Sequence, residues 1–175
     1  MTAKLRRTIA ATAVAGLALG LSTLAAGSAL ANPSDTLCTS DDLNIEVTRD
    51  LAEPGEYEAF LVKYTAASPH TNCKLEGGSA DFAFFNGADK IPGVEVQVDH
   101  TPEKPVSVDG SLFGISRILQ KVDAPANPAV PTAVEFDLPG IPDGPAAHEA
   151  ATWPADEPIK GDVLIATQIS QSAAE

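Results

Sequence analysis

The chain has 175 residues, and its 24 acidic side chains against 11 basic ones give a formal net charge of −13 at pH 7. An acidic balance of this size repels phosphate backbones and anionic lipids at long range, which excludes nucleic acid as a partner. The length suits a single domain with a core of its own.

The first 31 residues have the pattern of an export signal. Lys4, Arg6 and Arg7 precede an apolar, alanine-rich stretch, and a small-x-small cleavage pattern ends at Ala31. We expect cleavage after Ala31 and a secreted protein without a transmembrane anchor. An uncleaved anchor is the alternative, which the short, glycine-interrupted apolar run disfavours. Cleavage leaves 8 of the 11 basic residues against all 24 acidic ones, a net charge of −16.

Two cysteines, Cys38 and Cys73, are the only ones in the sequence. The outside of the cell is oxidising, so we expect one disulfide between them. Closing a loop of this size stabilises the folded chain by about 3–4 kcal/mol, because it restricts the unfolded ensemble. Two free thiols that bind a metal are the alternative, but no further ligands stand at suitable spacing.

Short segments of alternating or continuous apolar character follow one another along the mature chain, separated by Gly, Pro and Asn turns. The residues before Cys38, 32–37, are expected to be a lead-in. Residues 57–65 have few polar positions on either face, so we expect a central strand covered on both sides. Residues 112–122 fit a helical face as well as a strand, and their neighbours favour the strand. We expect strands over 43–48, 57–65, 74–75, 82–85, 94–98, 106–108, 112–122, 134–138 and 162–169, and a frayed tail over 170–175.

These segments predict an all-β domain over residues 38–169, an antiparallel β-sandwich of about seven to eight strands with one disulfide. Residues 139–158 have five prolines and no periodicity, which predicts a long loop. Such loops are often functional. We therefore regard His148 and Trp153, both in this loop, as candidate binding residues. In the alternative, Trp153 folds back and covers one open end of the sandwich.

The mature chain resembles a secreted actinobacterial family known as domain of unknown function 4232. The resemblance spans about residues 38–169 and is carried by Cys38 with Val47 following, by Asn72-Cys73-Lys74-Leu75-Glu76-Gly77, and by the segment Pro105–Ser111. It implies an immunoglobulin-like sandwich with a bridge between Cys38 and Cys73. It implies no catalytic residues.

Motifs for chemistry are scarce. Gly-x-Ser-x-Gly, calcium-binding and phosphate-binding loops are missing from the sequence, and His70, His100 and His148 fall in predicted loops. The acidic pair Asp41-Asp42 is the nearest approach to a metal site. We expect neither a cofactor nor a catalytic or metal-binding residue.

The sequence thus predicts a secreted, non-catalytic module that binds a protein, a wall component or a small ligand. Two alternatives stay open: a small hydrolase whose site is assembled only in three dimensions, and a weakly calcium-dependent surface protein.

Overall fold

The computed structural model describes residues 36–51, 55–99, 104–142 and 144–174, and the predicted export signal lies outside these residues. The described chain is built of β-strands, with one 3-10 turn at Ser40–Asp42 and no α-helix. The strands are β1 (Leu43–Arg49), β2 (Tyr57–Ala66), β3 (Cys73–Leu75), β4 (Ala80–Asn86), β5 (Asp89–Lys90), β6 (Glu95–Val98), β7 (Val106–Val108), β8 (Leu112–Lys121), β9 (Ala133–Asp137), β10 (His148–Thr152), β11 (Val163–Ala166) and β12 (Ser170–Ala173).

The larger sheet has six strands in the order β1-β2-β8-β11-β6, with β12 also paired to β8. Its centre is the antiparallel pair of β2 and β8, which runs in register from Tyr57 opposite Lys121 to Tyr64 opposite Gly114. All its pairs are antiparallel except β11 with β6. The other edge of β8 is shared by β11 and β12.

A second sheet has the order β10-β9-β4-β5, and β3 pairs with β7. Phe60, Val62 and Tyr64 lie on the inward face of β2 and are fully buried. Val134 and Phe136 of β9 are also fully buried. Alternation of side chains along each strand places these residues in one shared core. The predicted all-β antiparallel sandwich is therefore confirmed, as a sandwich-like fold with more strands than expected.

The predicted disulfide between Cys38 and Cys73 is present, and both residues are buried. Their Cα atoms lie 4.9 Å apart. The Cys38 N–H donates to the Lys74 carbonyl at 2.9 Å, and the Lys74 N–H donates to the Thr36 carbonyl at 2.9 Å. The bridge therefore fastens the start of the described chain alongside β3.

Three segments whose structure the sequence left open or assigned as irregular contain β-strands. Residues 112–121 form a strand, β8, as their neighbours indicated. The predicted loop over 139–158 contains the strand β10, which pairs with β9, and the predicted tail contains β12, which pairs with β8. Neither segment has the apolar alternation that marks a half-buried strand, so the sequence pattern does not indicate these two strands.

Close packing at Gly114 holds β8 against the core. A methyl group at this position would lie 2.8 Å from Cγ2 of Ile169 and 3.4 Å from side-chain atoms of Leu75 and Val106. Contacts under about 3 Å force neighbouring atoms to move, so the site accepts no larger residue without a shift.

Candidate functional site

The tryptophan of the predicted binding loop is part of the core. Trp153 is only 2 % exposed, and its ring centroid lies 4.3 Å from that of Phe60 and 5.2 Å from that of Phe84. Its indole N–H donates to the Glu157 carbonyl at 2.9 Å. The expectation that Trp153 offers a contact surface is therefore wrong, and the structure agrees with the alternative in so far as the side chain folds back into the core.

A network of charged groups fastens the chain that follows Trp153. Glu58 is near the start of β2 and is buried on the inward face of the strand. Its carboxylate forms ion pairs with Arg49 and, at 2.6 Å, with Lys160. Arg49 also pairs with Glu157, and the Gln120 amide donates to Glu58 at 2.9 Å. Burial opposes ionisation of Glu58, but the hydrogen bonds from Lys160, Gln120 and Arg49 lower its pKa. Each of these groups has partners within the fold, so the network serves structure.

His148 lies on the outer face of the smaller sheet and is exposed. Its Nδ1 is 3.0 Å from Oδ1 of Asp137, and its Nε2 is 3.5 Å from Oε2 of Glu135. The hydrogen bond with Asp137 raises the pKa of the imidazole. Both ring nitrogens thus face carboxylates, whereas a catalytic histidine of the hydrolase type needs a hydroxyl or thiol beside one of them.

The other candidates for chemistry are dispersed. His70 is exposed in the loop before β3, and His100 lies outside the described residues. Asp42 caps the 3-10 turn by accepting from the N–H and hydroxyl of Thr39 at 2.9 and 2.8 Å. Across the described residues, no group of three or more His, Cys, Asp or Glu side chains is arranged to hold a metal ion.

The inward-pointing carboxyl group of Glu149 has a buried oxygen without a hydrogen-bond partner. Glu149 is on β10, an edge strand, between the buried residues Ala147 and Ala151 of the same face. The buried oxygen is Oε1. Burial, aided by the negative charge of Asp41 and opposed by His148, raises the pKa of this carboxyl to about 7.

The candidate functional site is the outer face of the larger sheet. Along β2 and β8 the outward side chains are mainly apolar and mostly half-buried, whereas the side chains on the inward face are mostly fully buried. Leu119 lies at the centre, opposite Ala59 on one side and Ile165 on the other. We call this surface the outer face; it is formed by Tyr57, Ala59, Leu61, Lys63, Phe113, Ile115, Arg117, Leu119, Lys121, Val163 and Ile165.

A groove lies at each end of the outer face. The larger one, of about 660 Å³, has Lys63 and Phe113 among its lining residues. The smaller one, of about 360 Å³, is lined by Tyr57, Lys121 and Val163 among others. Lys63 is six positions along β2 from Tyr57, a distance of about 20 Å in an extended strand.

The apolar residues of the outer face are visible in the sequence, where they predict a strand that is covered by a second layer of structure. We expect residues 57–65 to be covered on both sides, and the structure buries the inner side fully but the outer side only in part. The outward residues of β2 are half-buried by their neighbours in the sheet. An apolar sheet face without a cover is typical of an interaction surface.

Fold and site together define a class: a disulfide-bridged β-sandwich with an uncovered apolar sheet face. Comparisons with protein-family models, with curated proteins and with solved structures find no match to this chain. Within the described residues, no helix has the length and apolar character needed to cross a membrane. The resemblance to domain of unknown function 4232 stays a prediction.

Proposed function

We propose that the protein is a secreted, non-catalytic binding module and that its outer face docks a partner protein. The observation that carries the proposal is the uncovered apolar surface around Leu119. Soluble proteins rarely leave a continuous apolar surface of this kind open to water without a binding role. The disulfide between Cys38 and Cys73 supports export, because such bridges persist in oxidising compartments.

The charges on the outer face favour a partner with acidic groups around an apolar centre. The chain is strongly acidic as a whole, yet the charged side chains that project from β2 and β8 on this face are all basic (Lys63, Arg117 and Lys121). The flanking strands β1 and β6 add Glu46, opposite Lys63, and Glu95, opposite Val163. Arg117 is paired with Asp50 at 3.1 Å, which leaves the two lysines at opposite ends of the face as the groups for a partner's carboxylates. Such complementarity fixes orientation and excludes wrong partners.

The test uses a charge placed in the middle of the surface. Immobilised wild-type protein and the variant Leu119→Glu would be exposed to culture fluid and envelope extract of the producing organism, and bound proteins identified by mass spectrometry. Thr152→Glu is the matched control, since Thr152 is exposed on the smaller sheet. We expect one partner retained by wild type and control and lost with Leu119→Glu, with the contact mapped by cross-links from Lys63 or Lys121.

The variants must first be shown to fold, by near-ultraviolet circular dichroism and by an intact disulfide in the mass spectrum. A folded Leu119→Glu variant that retains the same proteins as wild type would contradict the proposal. So would a wild-type protein that retains nothing from either source.

A further inference from the structure

The groove at the Lys63 end of the outer face has the size and the walls of a ligand site. Its floor is formed by outward side chains of β2 and β8, chiefly Lys63 and Phe113. The lining also includes the end of β2 with the loop that follows it (65–69), the turn that leads into β8 (109–112), and residues 173–174 at the end of β12. Its volume of about 660 Å³ falls within the range of small-molecule sites.

Lys63 is the one cation among the residues that line this groove. Its Nζ lies 4.5 Å from the centroid of the Phe113 ring. Glu46 is opposite Lys63 in the register of β1 and β2, but within the described structure the two side chains form no ion pair. The ammonium group therefore lies over an aromatic ring, and no carboxylate of the described residues forms an ion pair with it.

Among the described residues that line the groove, Asp109 is the one carboxylate, and its Oδ1 is bonded within its own turn. Its Oδ1 accepts from the Ser111 N–H at 2.7 Å, the Ser111 hydroxyl at 3.0 Å and the Leu112 N–H at 2.8 Å. The Ser111 N–H bond lowers the pKa of Asp109 despite some burial, and the Leu112 N–H adds to the effect. Asp109 thus holds the turn 109–112 in shape, and within the described residues it forms no ion pair with Lys63.

We propose that this groove binds a carboxylate carried on an aromatic or similarly flat apolar group. The carboxylate would pair with the Lys63 ammonium, and the flat group would contact Phe113 and the alanine-rich wall. The same chemistry is offered by a free small organic acid and by the C-terminus of a peptide that ends in an aromatic residue. The inference deepens the proposed function, because the groove is one end of the outer face.

The experiment is an NMR titration of the isotope-labelled protein with phenylacetate and with its neutral counterpart, phenylacetamide. We expect phenylacetate to shift the resonances of Lys63, Phe113 and the turn 109–112. Phenylacetamide should bind about ten to a hundred times more weakly, since its carbonyl accepts a hydrogen bond without the negative charge that pairs with the ammonium. Lys63→Met should lose affinity for phenylacetate by the same factor, whereas Lys63→Arg should retain most of it.

Lys121→Met is the matched control, because Lys121 lies in the groove at the other end of the face. It should bind phenylacetate as wild type does. Equal binding of phenylacetate and phenylacetamide would overturn the proposal. Shifts that avoid the groove, or binding unchanged in Lys63→Met, would overturn it as well.

A second pair of probes separates the two sources of the carboxylate. N-acetyl-Ala-Ala-Phe with a free C-terminus is compared with its C-terminal amide. Tighter binding of the peptide acid than of phenylacetate supports a protein C-terminus as the ligand, and the reverse order supports a free organic acid. Leu119→Glu lies outside the groove, so it should abolish partner capture but leave the phenylacetate shifts in place, which distinguishes failure of this inference from failure of the proposed function.

Discussion

The buried carboxyl of Glu149 predicts that the protein loses stability as the pH rises towards neutrality. Its pKa is raised from 4.5 to about 7 in the folded chain, chiefly by burial. A folded state that favours the protonated acid is most stable below pH 4.5, where the group is neutral in both states. The stability contributed by the neutral form is lost as the pH rises through the folded-state pKa.

The size of the effect follows from the same shift. A change from 4.5 to about 7 sets a ceiling of about 3.4 kcal/mol, at 1.36 kcal/mol for each unit of pKa. Glu149 is partly exposed, so solvent screening reduces this to about 1–2 kcal/mol. Glu149→Gln removes the charge with little change of shape, and should therefore be more stable than wild type by about 1–2 kcal/mol at pH 8 and nearly equal to it at pH 4.5.

The assay is urea unfolding followed by circular dichroism at several values from pH 4.5 to pH 8, with the disulfide intact. Glu46→Gln is the control, because Glu46 is an exposed carboxylate on the other sheet and its loss changes the net charge equally. It should show no such gain. If Glu149→Gln and wild type have the same free energy of unfolding at pH 8, or if Glu46→Gln gains as much, the reasoning from burial is wrong.

Three further predictions concern the core. Trp153→Ala should lower the free energy of unfolding by about 3–5 kcal/mol, more than Trp153→Phe does, as measured by urea unfolding, and equal losses would mean that the indole is not packed as described. Replacing Cys38 and Cys73 together by serine should lower it by about 3–4 kcal/mol, while wild-type protein should show no alkylation before reduction in an intact-mass measurement. Gly114→Ala should lower the melting temperature through a loss of about 1–3 kcal/mol, whereas Gly110→Ala, where a methyl group meets no atom within 4 Å, should be tolerated; an unchanged melting temperature for Gly114→Ala would contradict the close contact with the core.

The disulfide and the long strands could be predicted because each follows from local sequence. Two cysteines leave one pairing, and the alternation in β1 or the apolar run in β2 fixes a strand without knowledge of its neighbours. Even the ambiguous segment at β8 was decided correctly by the strands beside it.

The strand β10 escaped prediction because one of its inward positions is occupied by a charged residue. The inward series is Ala147, Glu149, Ala151 and Trp153, and Glu149 breaks an alternation that would otherwise have been visible. An inward-pointing charge on an edge strand also discourages pairing with other chains. Glu149 therefore both obscures β10 in the sequence and protects its edge from such pairing.

The candidate site could not be predicted from the sequence, since its residues are assembled by pairing between distant strands. Leu119 and Ile165 become neighbours only when β8 and β11 pair. An apolar residue in a strand has the same appearance in the sequence whether a second layer covers it or solvent does. Only the order of the strands shows which of these is the case for β2.

The position of β8 determines when the larger sheet can form. Its partners are β2, which precedes it by about fifty residues, and β11 with β12, which follow it by a similar interval. Neither partner is its neighbour in a short hairpin, so the central strand gains its hydrogen bonds only after long loops have closed. Folds with such distant contacts reach the native state in milliseconds to seconds, so the larger sheet is completed late relative to the local turns of the chain.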